Sequence, residues 1–321
     1  MSGEMVSPYF PVVYAVKHKD DNIRLSSRSG GVFTALSDRI LDQGGIVYGC
    51  ALEDNLEAVH KKAVTRAERD AFRGSKYVQS NLRDSFQEVK EILKEEKKVL
   101  FSGTSCQIAA LQRYINGEQS ANLLLVDIVC HGVPSPKVYR DYLNYMAMKK
   151  KGRISEVDFR NKKKYGWEEV VETLTINGTG YDSRIYNNLF IRNNILRPCC
   201  YKCPYKQTNH PGDITIADYW GVDKVFPKLN DNIGVSLVMI NSWKGLEYFK
   251  KTVKELELYV SRLEDCMQPS MVSPVKEPDS RSAFWQDYTG NPFSYIVKKY
   301  ASDSWKTRIK AKLRSTYHEY Y

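Results

Sequence analysis

The stretch KKVLFSGTSCQIAALQRYI, Lys97 to Ile115, consists of a short apolar run, a loop of small polar residues and a helical pattern. It predicts a buried strand at Val99–Phe101, a tight loop at Ser102–Ser105 and a helix that begins near Cys106. The stretch LLLVDIVCHGVPSPKVYRDYLNYM, Leu123 to Met146, repeats strand, loop and helix. Two successive units of this kind predict an α/β fold with a parallel sheet, whose functional loops lie at the carboxyl ends of the strands.

Patterns elsewhere in the chain predict further elements. Short apolar runs in PVVYAVK and GGIVYGCAL indicate strands, and helical patterns cover Ser29–Gln43 and Asn81–Glu96. From about Lys151, charged turns alternate with strands such as Val170–Ile176, so we expect a smaller β-rich segment, α+β in part. A cysteine turn, the strands DITIADYWG and GVSLVMINS and the helix WKGLEYFKKTVKELE complete the prediction.

Composition narrows the class of protein. The 321 residues suffice for two domains, and a 42% hydrophobic content suffices for buried cores. Seven cysteines and an N-terminus without the features of a secretory signal indicate a reducing, cytoplasmic compartment, where clustered cysteines are more often metal ligands or redox thiols than disulfides. No apolar run approaches the roughly 18 residues of a membrane span. We expect a protein that is soluble or peripheral to the inner face of the membrane.

The chain is basic, with 48 Lys and Arg against 38 Asp and Glu and a formal charge of +10. This charge favours an acidic partner such as a phosphate-bearing cofactor, nucleic acid, an acidic redox protein or an anionic membrane. The lysines lack the interleaved aromatic residues of a single-strand binding surface, so we expect no nucleic acid partner. Ile296–Tyr321 reads as a basic amphipathic helix with Trp305, Ile309 and Leu313 on one stripe, which either packs on the body or lies on a membrane or partner.

Cysteines cluster in RPCCYKCPYK, where Cys200 and Cys203 form a C-x-x-C pair followed by proline and Cys199 stands beside them. Cys106 and Cys130 each follow one of two neighbouring predicted strands. Four thiolates from Cys106, Cys130, Cys200 and Cys203 suit a tetrahedral zinc ion or an iron–sulfur cluster, and a single C-x-x-C does not separate these two. Cys50 and Cys266 stand apart and read as ordinary buried cysteines.

The loop GTSCQ, Gly103–Gln107, has other interpretations. Its backbone N–H groups and the following helix N-terminus favour an anion, here through Gly103 and Thr104. The helix dipole would also stabilise a thiolate at Cys106. Because His131 ends the next strand, a Cys106–His131 pair for nucleophilic catalysis is a further hypothesis.

Two glycine-containing segments favour phosphate. Ser29, Gly30 and Gly31 stand where a helix begins, which suits close approach of the backbone to phosphate. RGSKYVQS, Arg73 to Ser80, combines a glycine turn with Lys76 and Tyr77, which suit a pyrophosphate and a stacked ring. A plain helix cap and an exposed turn are the simpler interpretations of these segments.

Seven segments in order resemble the motifs of the beta subunit family of coenzyme F420 hydrogenase/dehydrogenase, over about Pro11 to Glu257. They are SGGVFTAL, GSKYVQS, VLFSGTSCQIAAL, VDIVCHGVPSPKVY, LRPCCYKCPYK, GDITIADYWGV and GVSLVMINSWKG. The resemblance implies a flavoprotein oxidoreductase with FAD and a 4Fe-4S cluster. Similar proteins include deazaflavin-reducing subunits and the plant 7-hydroxymethyl chlorophyll a reductase. Bacterial members associated with capsule and exopolysaccharide loci are also similar, so the resemblance implies a link to cell-surface polysaccharide biosynthesis.

The resemblance implies roles for regions and residues. It makes 1–97 an FAD-associated region, 98–265 an iron–sulfur and flavin region and 266–321 a basic tail. The implied cluster ligands are Cys106, Cys130, Cys200 and Cys203. The implied FAD-binding residues are Ser29, Gly30, Gly31, Gly74, Ser75, Lys76, Tyr77, Val78, Gly103 and Thr104.

The chain also departs from the family pattern. Met1–Asp20 contains no cysteine, whereas many relatives carry a cysteine-dense ferredoxin-like segment there, so we expect one cluster and an external electron donor such as ferredoxin or another iron–sulfur protein. Ser105 stands in place of proline, Cys199 in place of serine and Ala217 in place of glycine. The substrate is expected to be a small molecule, and use of the deazaflavin coenzyme does not follow. The alternative is a non-redox module that holds structural zinc and binds an acidic partner.

Overall fold

The computed structural model of the protein describes residues 9–117 and 120–302. Its strands are β1 Val12–His18, β2 Ile46–Leu52, β3 Ala58–Ala63, β4 Val99–Thr104, β5 Leu123–Ile128, β6 Ile154–Asp158, β7 Glu172–Ile176, β8 Thr179–Ser183, β9 Ile214–Asp218, β10 Ser236–Ile240 and β11 Leu256–Ser261. Its α-helices are α1 Asp21–Ser26, α2 Val32–Leu41, α3 Arg66–Asp70, α4 Ser85–Lys94, α5 Ser105–Ile115, α6 Pro136–Lys150, α7 Lys162–Tyr165, α8 Ile185–Ile191, α9 Val222–Val225, α10 Trp243–Lys250, α11 Arg281–Gly290 and α12 Phe293–Ile296.

The main sheet has eight strands in the order β11-β1-β10-β9-β5-β4-β2-β3. Its centre, β2, β4, β5 and β9, is parallel, and antiparallel strands flank it on both sides. A second sheet, β6-β7-β8, is antiparallel. The predicted α/β fold, with parallel strand-loop-helix units followed by a smaller β-rich segment, is confirmed.

The centre of the main sheet follows from its apolar strands. Val99, Leu100 and Phe101 are fully buried, as expected of a parallel strand covered on both faces. Pairing with β5 continues to Thr104, which lies opposite Ile128, so β4 includes most of the predicted loop. The N–H of Thr104 donates to Oε1 of Gln107 at 2.9 Å, which satisfies a free backbone donor where α5 begins.

The helix predicted over Ser29–Gln43 begins later, at Val32. The preceding residues pack inside the fold, where Oγ of Ser29 donates to the carbonyl of Val235 at 2.6 Å. A Cβ on Gly30 would lie 2.2 Å from the carbonyl oxygen of Val16, so only glycine fits between β1 and β10. Close strand packing therefore accounts for this serine and glycine.

Sequence patterns miss two strands, β3 and β11. The last predicted helix ends at Lys250, and the chain then forms β11 from Leu256. There Val260 pairs with Tyr14, so β1 lies between β10 and β11. The sheet thus combines strands from the predicted 1–97 and 98–265 regions, a division that stays a prediction.

The predicted C-terminal helix is described only in its first part. Ile296 and Tyr300 are buried, and Asn188 donates to the carbonyl of Ala301 at 3.1 Å, so the described part packs on the body. Trp305, Ile309 and Leu313 lie outside the described residues. Over the described ranges, none of the helices combines the length and apolar character that crossing a membrane requires.

Candidate functional site

The predicted cysteine ligands come from three segments. Cys106 lies in the first turn of α5, directly after β4, and Cys130 lies two residues after β5. Since β4 and β5 are parallel neighbours, their carboxyl ends meet at one edge of the sheet. Cys199 and Cys200 lie in a short 3-10 helix, Pro198–Lys202, and Cys203 follows it.

The cysteine turn is docked on the loop after β5. The N–H of Val133 donates to Sγ of Cys200 at 3.5 Å, and the N–H of Arg197 donates to the carbonyl of Val133 at 3.0 Å. Gly132 has a φ of +148°, and a Cβ there would lie 2.9 Å from the side chain of Leu196. Glycine at position 132 therefore lets the Cys130 loop approach Cys200.

All four predicted ligands influence the pKa of one lysine, Lys206. Its side chain is buried, and its Nζ atom has no hydrogen-bond partner among the described residues. After burial itself, which lowers the lysine pKa, the strongest influences on that pKa are the thiols of Cys130, Cys203, Cys200 and Cys106, in that order. The charge of this buried ammonium group is thus coupled to all four predicted ligands, whereas Cys199 is exposed and is not among these influences.

Two of these thiols are strongly affected by burial. It raises the pKa of Cys130 to about 12, against an opposing effect of Lys206, and it also raises the pKa of Cys200. Both thiols are therefore neutral near pH 7 in the metal-free chain. Within 9–117 and 120–302, no three His, Cys, Asp or Glu residues are grouped closely enough to hold a metal ion.

A buried polar cluster includes Ser105, the residue that precedes Cys106. Oδ2 of Asp127 accepts a hydrogen bond from Oγ of Ser105 at 2.7 Å and lies 2.8 Å from Nδ1 of His210. Oδ1 of the same carboxyl group accepts from Thr215 at 2.6 Å. The cluster joins β5, α5, β9 and the segment after the cysteine turn, and it includes Ser105, where the family pattern has proline.

A cavity of about 370 Å³ lies between α1, the turn before Lys76 and β6–α7. Gly74, Ser75 and Lys76 line it, as three of the predicted FAD-binding residues. Its cationic residues are Arg28, Arg73, Lys76, Arg160, Lys162 and Lys163. A cavity of this size and charge suits part of a phosphate-bearing ligand.

The cations of the cavity are held in different ways. Nζ of Lys76 donates to the carbonyls of Ala71 and Arg73 at 2.8 and 2.9 Å, so this lysine stabilises its own turn. Lys162 donates to the carbonyls of Arg24 and, at 3.1 Å, Ser29. Burial and the neighbouring Arg28 lower the pKa of Lys162 to about 7. Its charge therefore changes across neutral pH.

The other predicted FAD-binding residues do not line this cavity. Ser29, Gly30 and Gly31 pack between β1, β10 and α2. Val78 is buried in a hydrophobic core. Gly103 and Thr104 end β4 beside Cys106, whose Sγ lies 3.2 Å from Oγ1 of Thr104.

Aromatic side chains connect the cavity with the cysteine region. Tyr77 packs edge-on against Phe159 of the cavity wall, with ring centroids 5.8 Å apart, and stacks on Phe190 at 5.1 Å. Phe190 contacts His131, the neighbour of Cys130, again at 5.1 Å. Nε2 of His131 lies 2.7 Å from Oδ1 of Asn193. Among the described residues, Cys106 and His131 form no hydrogen bond with each other, so the geometry offers no support for the hypothesis of nucleophilic catalysis.

Several residues of these sites are not evident from the sequence. Arg28, Arg160 and Lys162 line the cavity from segments more than 100 positions apart, and the pattern around the C-x-x-C pair does not single out Lys206. For Arg160 and Lys162, the only signal in the sequence is the basic run RNKKK, which by itself indicates a charged turn. Next to the cavity, Trp220 stacks on the buried Trp167 with ring centroids 5.0 Å apart.

Comparisons with known proteins agree with this architecture. The family model that describes the C terminus of the coenzyme F420 hydrogenase/dehydrogenase beta subunit matches residues 96–265. No curated protein matches the chain. Among solved structures, a chain of the F420-reducing [NiFe] hydrogenase complex from Methanosarcina barkeri, studied by xenon derivatization, is 18% identical with a TM-score of 0.56. The match covers 81% of this chain and 85% of that chain and shows a shared fold.

The family match spans more than half of the chain and confirms the resemblance inferred from the seven motifs. The chain belongs to the coenzyme F420 hydrogenase/dehydrogenase beta subunit family.

Proposed function

We propose that this oxidoreductase of the hydrogenase/dehydrogenase beta subunit family is an iron–sulfur flavoprotein, which passes electrons between a 4Fe-4S cluster and FAD to reduce or oxidise a small molecule. The observation that carries the proposal is the convergence of Cys106, Cys130, Cys200 and Cys203 on the buried ammonium of Lys206. An unpartnered buried cation fits a site that is anionic when loaded, and four thiolates make it so.

The spacing of the thiols bears on the choice between zinc and a cluster. A single zinc ion binds sulfur at about 2.3 Å, which brings its ligands into mutual contact. The described residues contain no group packed that closely. A four-iron cluster is larger than a single ion and takes its four thiolates at separate corners. The choice of the cluster over the structural zinc of the alternative hypothesis rests on the family resemblance, with which this spacing is compatible.

The cavity supports FAD as the second group. Arg28, Arg160 and Lys163 would hold its phosphates by charge, and Gly74 and Ser75 allow the backbone to approach them. Tyr77 and Phe190 pack between the cavity and His131 and keep water out of that space. When bound, a flavin accepts electrons singly and delivers them in pairs, which one-electron carriers cannot do.

Finer parts of the proposal rest on the resemblance. An external electron donor such as ferredoxin would reach the site by way of the exposed Cys106 and Cys199 side. The neighbour from Methanosarcina barkeri belongs to a hydrogenase complex, which supports a protein partner. A role in cell-surface polysaccharide biosynthesis and contact with the membrane surface remain predictions.

The test is an ultraviolet–visible spectrum of anaerobically purified protein, with iron, zinc and sulfide assays on the same sample. We expect flavin bands and a broad iron–sulfur absorption that bleaches with dithionite, with about four irons per chain. A colourless protein that carries one zinc ion, even after reconstitution with iron, sulfide and FAD, would contradict the proposal and support the zinc-stabilised module.

A further inference from the structure

Lys206 differs from the other deeply buried cations of the described chain. Arg24 is 2% exposed and its guanidinium lies 2.6 Å from Asp231. Arg69 is 1% exposed and lies 2.6 Å from Asp38. Lys206, at 7% exposure, forms no ion pair with any carboxylate of the described residues and donates no hydrogen bond. The fold thus pairs these two arginines with carboxylates, and the buried Lys162 donates to two backbone carbonyls, whereas Lys206 has neither kind of partner among the described residues.

An unpaired buried ammonium is unfavourable because it loses its hydration without compensation. The cost is offset when an anion occupies the space that the ammonium faces. The titratable neighbours of Lys206 are His131 and the four cysteines, and a cluster that the cysteines ligate is anionic in both of its oxidation states. Within the described residues, Lys206 therefore gains an anionic partner only when the cluster is bound.

We propose that the ammonium group of Lys206 lies against the iron–sulfur cluster. Its charge stabilises the reduced state of the cluster and so raises the reduction potential. The inference rests on the proposed function, because it requires a cluster at Cys106, Cys130, Cys200 and Cys203. The sign follows from Coulomb's law, since the reduced cluster carries one more negative charge than the oxidised one. Burial strengthens the effect by excluding the water that would screen it.

The chain offers a matched control in the same segment. Lys202 lies between Cys200 and Cys203, but its side chain is exposed. Lys202→Met and Lys206→Met remove the same charge, four residues apart, one from solvent and one from the buried site. Lys206→Arg keeps the charge and serves as the conservative variant.

The experiment is a redox titration of the reconstituted full chain, followed by electron paramagnetic resonance, with iron counted in each variant. We expect Lys206→Met to disfavour reduction at least tenfold, a fall of about 59 mV for a one-electron step. Lys202→Met and Lys206→Arg should change the same equilibrium less than about threefold. Loss of iron from Lys206→Met with retention in Lys206→Arg would support the same assignment.

Two results would overturn the inference. One is a fully loaded Lys206→Met protein with an unchanged potential, and the other is loss of iron from Lys206→Met and Lys206→Arg alike, which would show that the position serves packing rather than charge. In both cases the parent protein still carries a cluster, so the proposed function stands. A parent protein without iron after reconstitution would overturn both together.

Discussion

Nδ1 of His210 lies 2.8 Å from Oδ2 of Asp127, and both side chains are buried. This pair fixes the segment after the cysteine turn to β5. Together with Ser105 it supports two of the proposed ligand segments from the interior of the sheet. The geometry of the cysteine site therefore depends on a pair for which the described residues show no hydrogen bond to a proposed ligand.

We expect Asp127→Asn to lower the free energy of unfolding by about 3 kcal/mol, because the carboxyl group accepts from Ser105, Thr215 and His210, and an amide presents a donor in place of one acceptor. Urea unfolding measures the change. Asp84→Asn, at an exposed residue before α4, removes a like charge as the control. Equal midpoints for the two variants would show that the pair contributes nothing.

The two adjacent cysteines should differ in their effect on iron binding. Cys200 is buried, accepts a hydrogen bond from Val133 and raises the pKa of Lys206, whereas Cys199 is exposed. We expect Cys200→Ser to lose most of its iron and Cys199→Ser to keep about four irons per chain. Iron and sulfide assays after reconstitution provide the measurement. Full retention of iron by Cys200→Ser, with loss of iron from Cys199→Ser, would contradict this assignment and make Cys199 the ligand.

Neighbouring lysines of α7 provide a test of the cavity. Lys163 lines the cavity and is exposed, while Lys164 forms an ion pair with Asp182. Loss of one charge-assisted contact to phosphate weakens binding by about 1.5 kcal/mol, or roughly tenfold. We therefore expect Lys163→Ala to bind FAD roughly tenfold more weakly than the parent and Lys164→Ala to bind it almost as tightly. Fluorescence titration measures both affinities. If both variants bind FAD as tightly as the parent, the phosphates lie elsewhere.

FAD affinity should also depend on pH through Lys162. Burial, followed by Arg28, lowers its pKa to about 7, with Asp218 opposing. A bound phosphate favours the charged form, so the pKa is higher in the complex and binding takes up a proton. The affinity is therefore greatest below about pH 7 and falls as pH rises above it. Dissociation constants between about pH 6 and pH 9 should show this slope, and Lys162→Met should reduce it.

The centre of the fold was predictable because its strands are contiguous apolar runs. β4 and β5 are each six residues long, and their adjacency brings Cys106 and Cys130 to one sheet edge. β11 was missed because the Lys and Glu residues that precede it extend the helical pattern of α10. Its pairing with β1 depends on residues more than 200 positions away.

The candidate sites were predictable only in part, for a similar reason. The C-x-x-C pair and the glycine turn at Gly74 are local patterns. The burial of Lys206 is a property of the folded chain, in which the cysteine turn docks against Val133. The phosphate role expected for Gly30 rests on conformational freedom, whereas a Cβ at this position would lie 2.7 Å from the backbone nitrogen of Ser236. A glycine that permits tight packing cannot be told from one that contacts a ligand without the neighbouring strand.

The position of β1 between β10 and β11 has a consequence for biosynthesis. A ribosome makes Val12–His18 long before Ser236–Ile240 and Leu256–Ser261, so the early strand waits without either partner while most of the protein is translated. The sheet can close only after nearly all described residues have left the exit tunnel. The sheet that carries the proposed sites would then be complete only after β11 has been translated, and a chaperone that shields β1 until that point would increase the yield of folded protein.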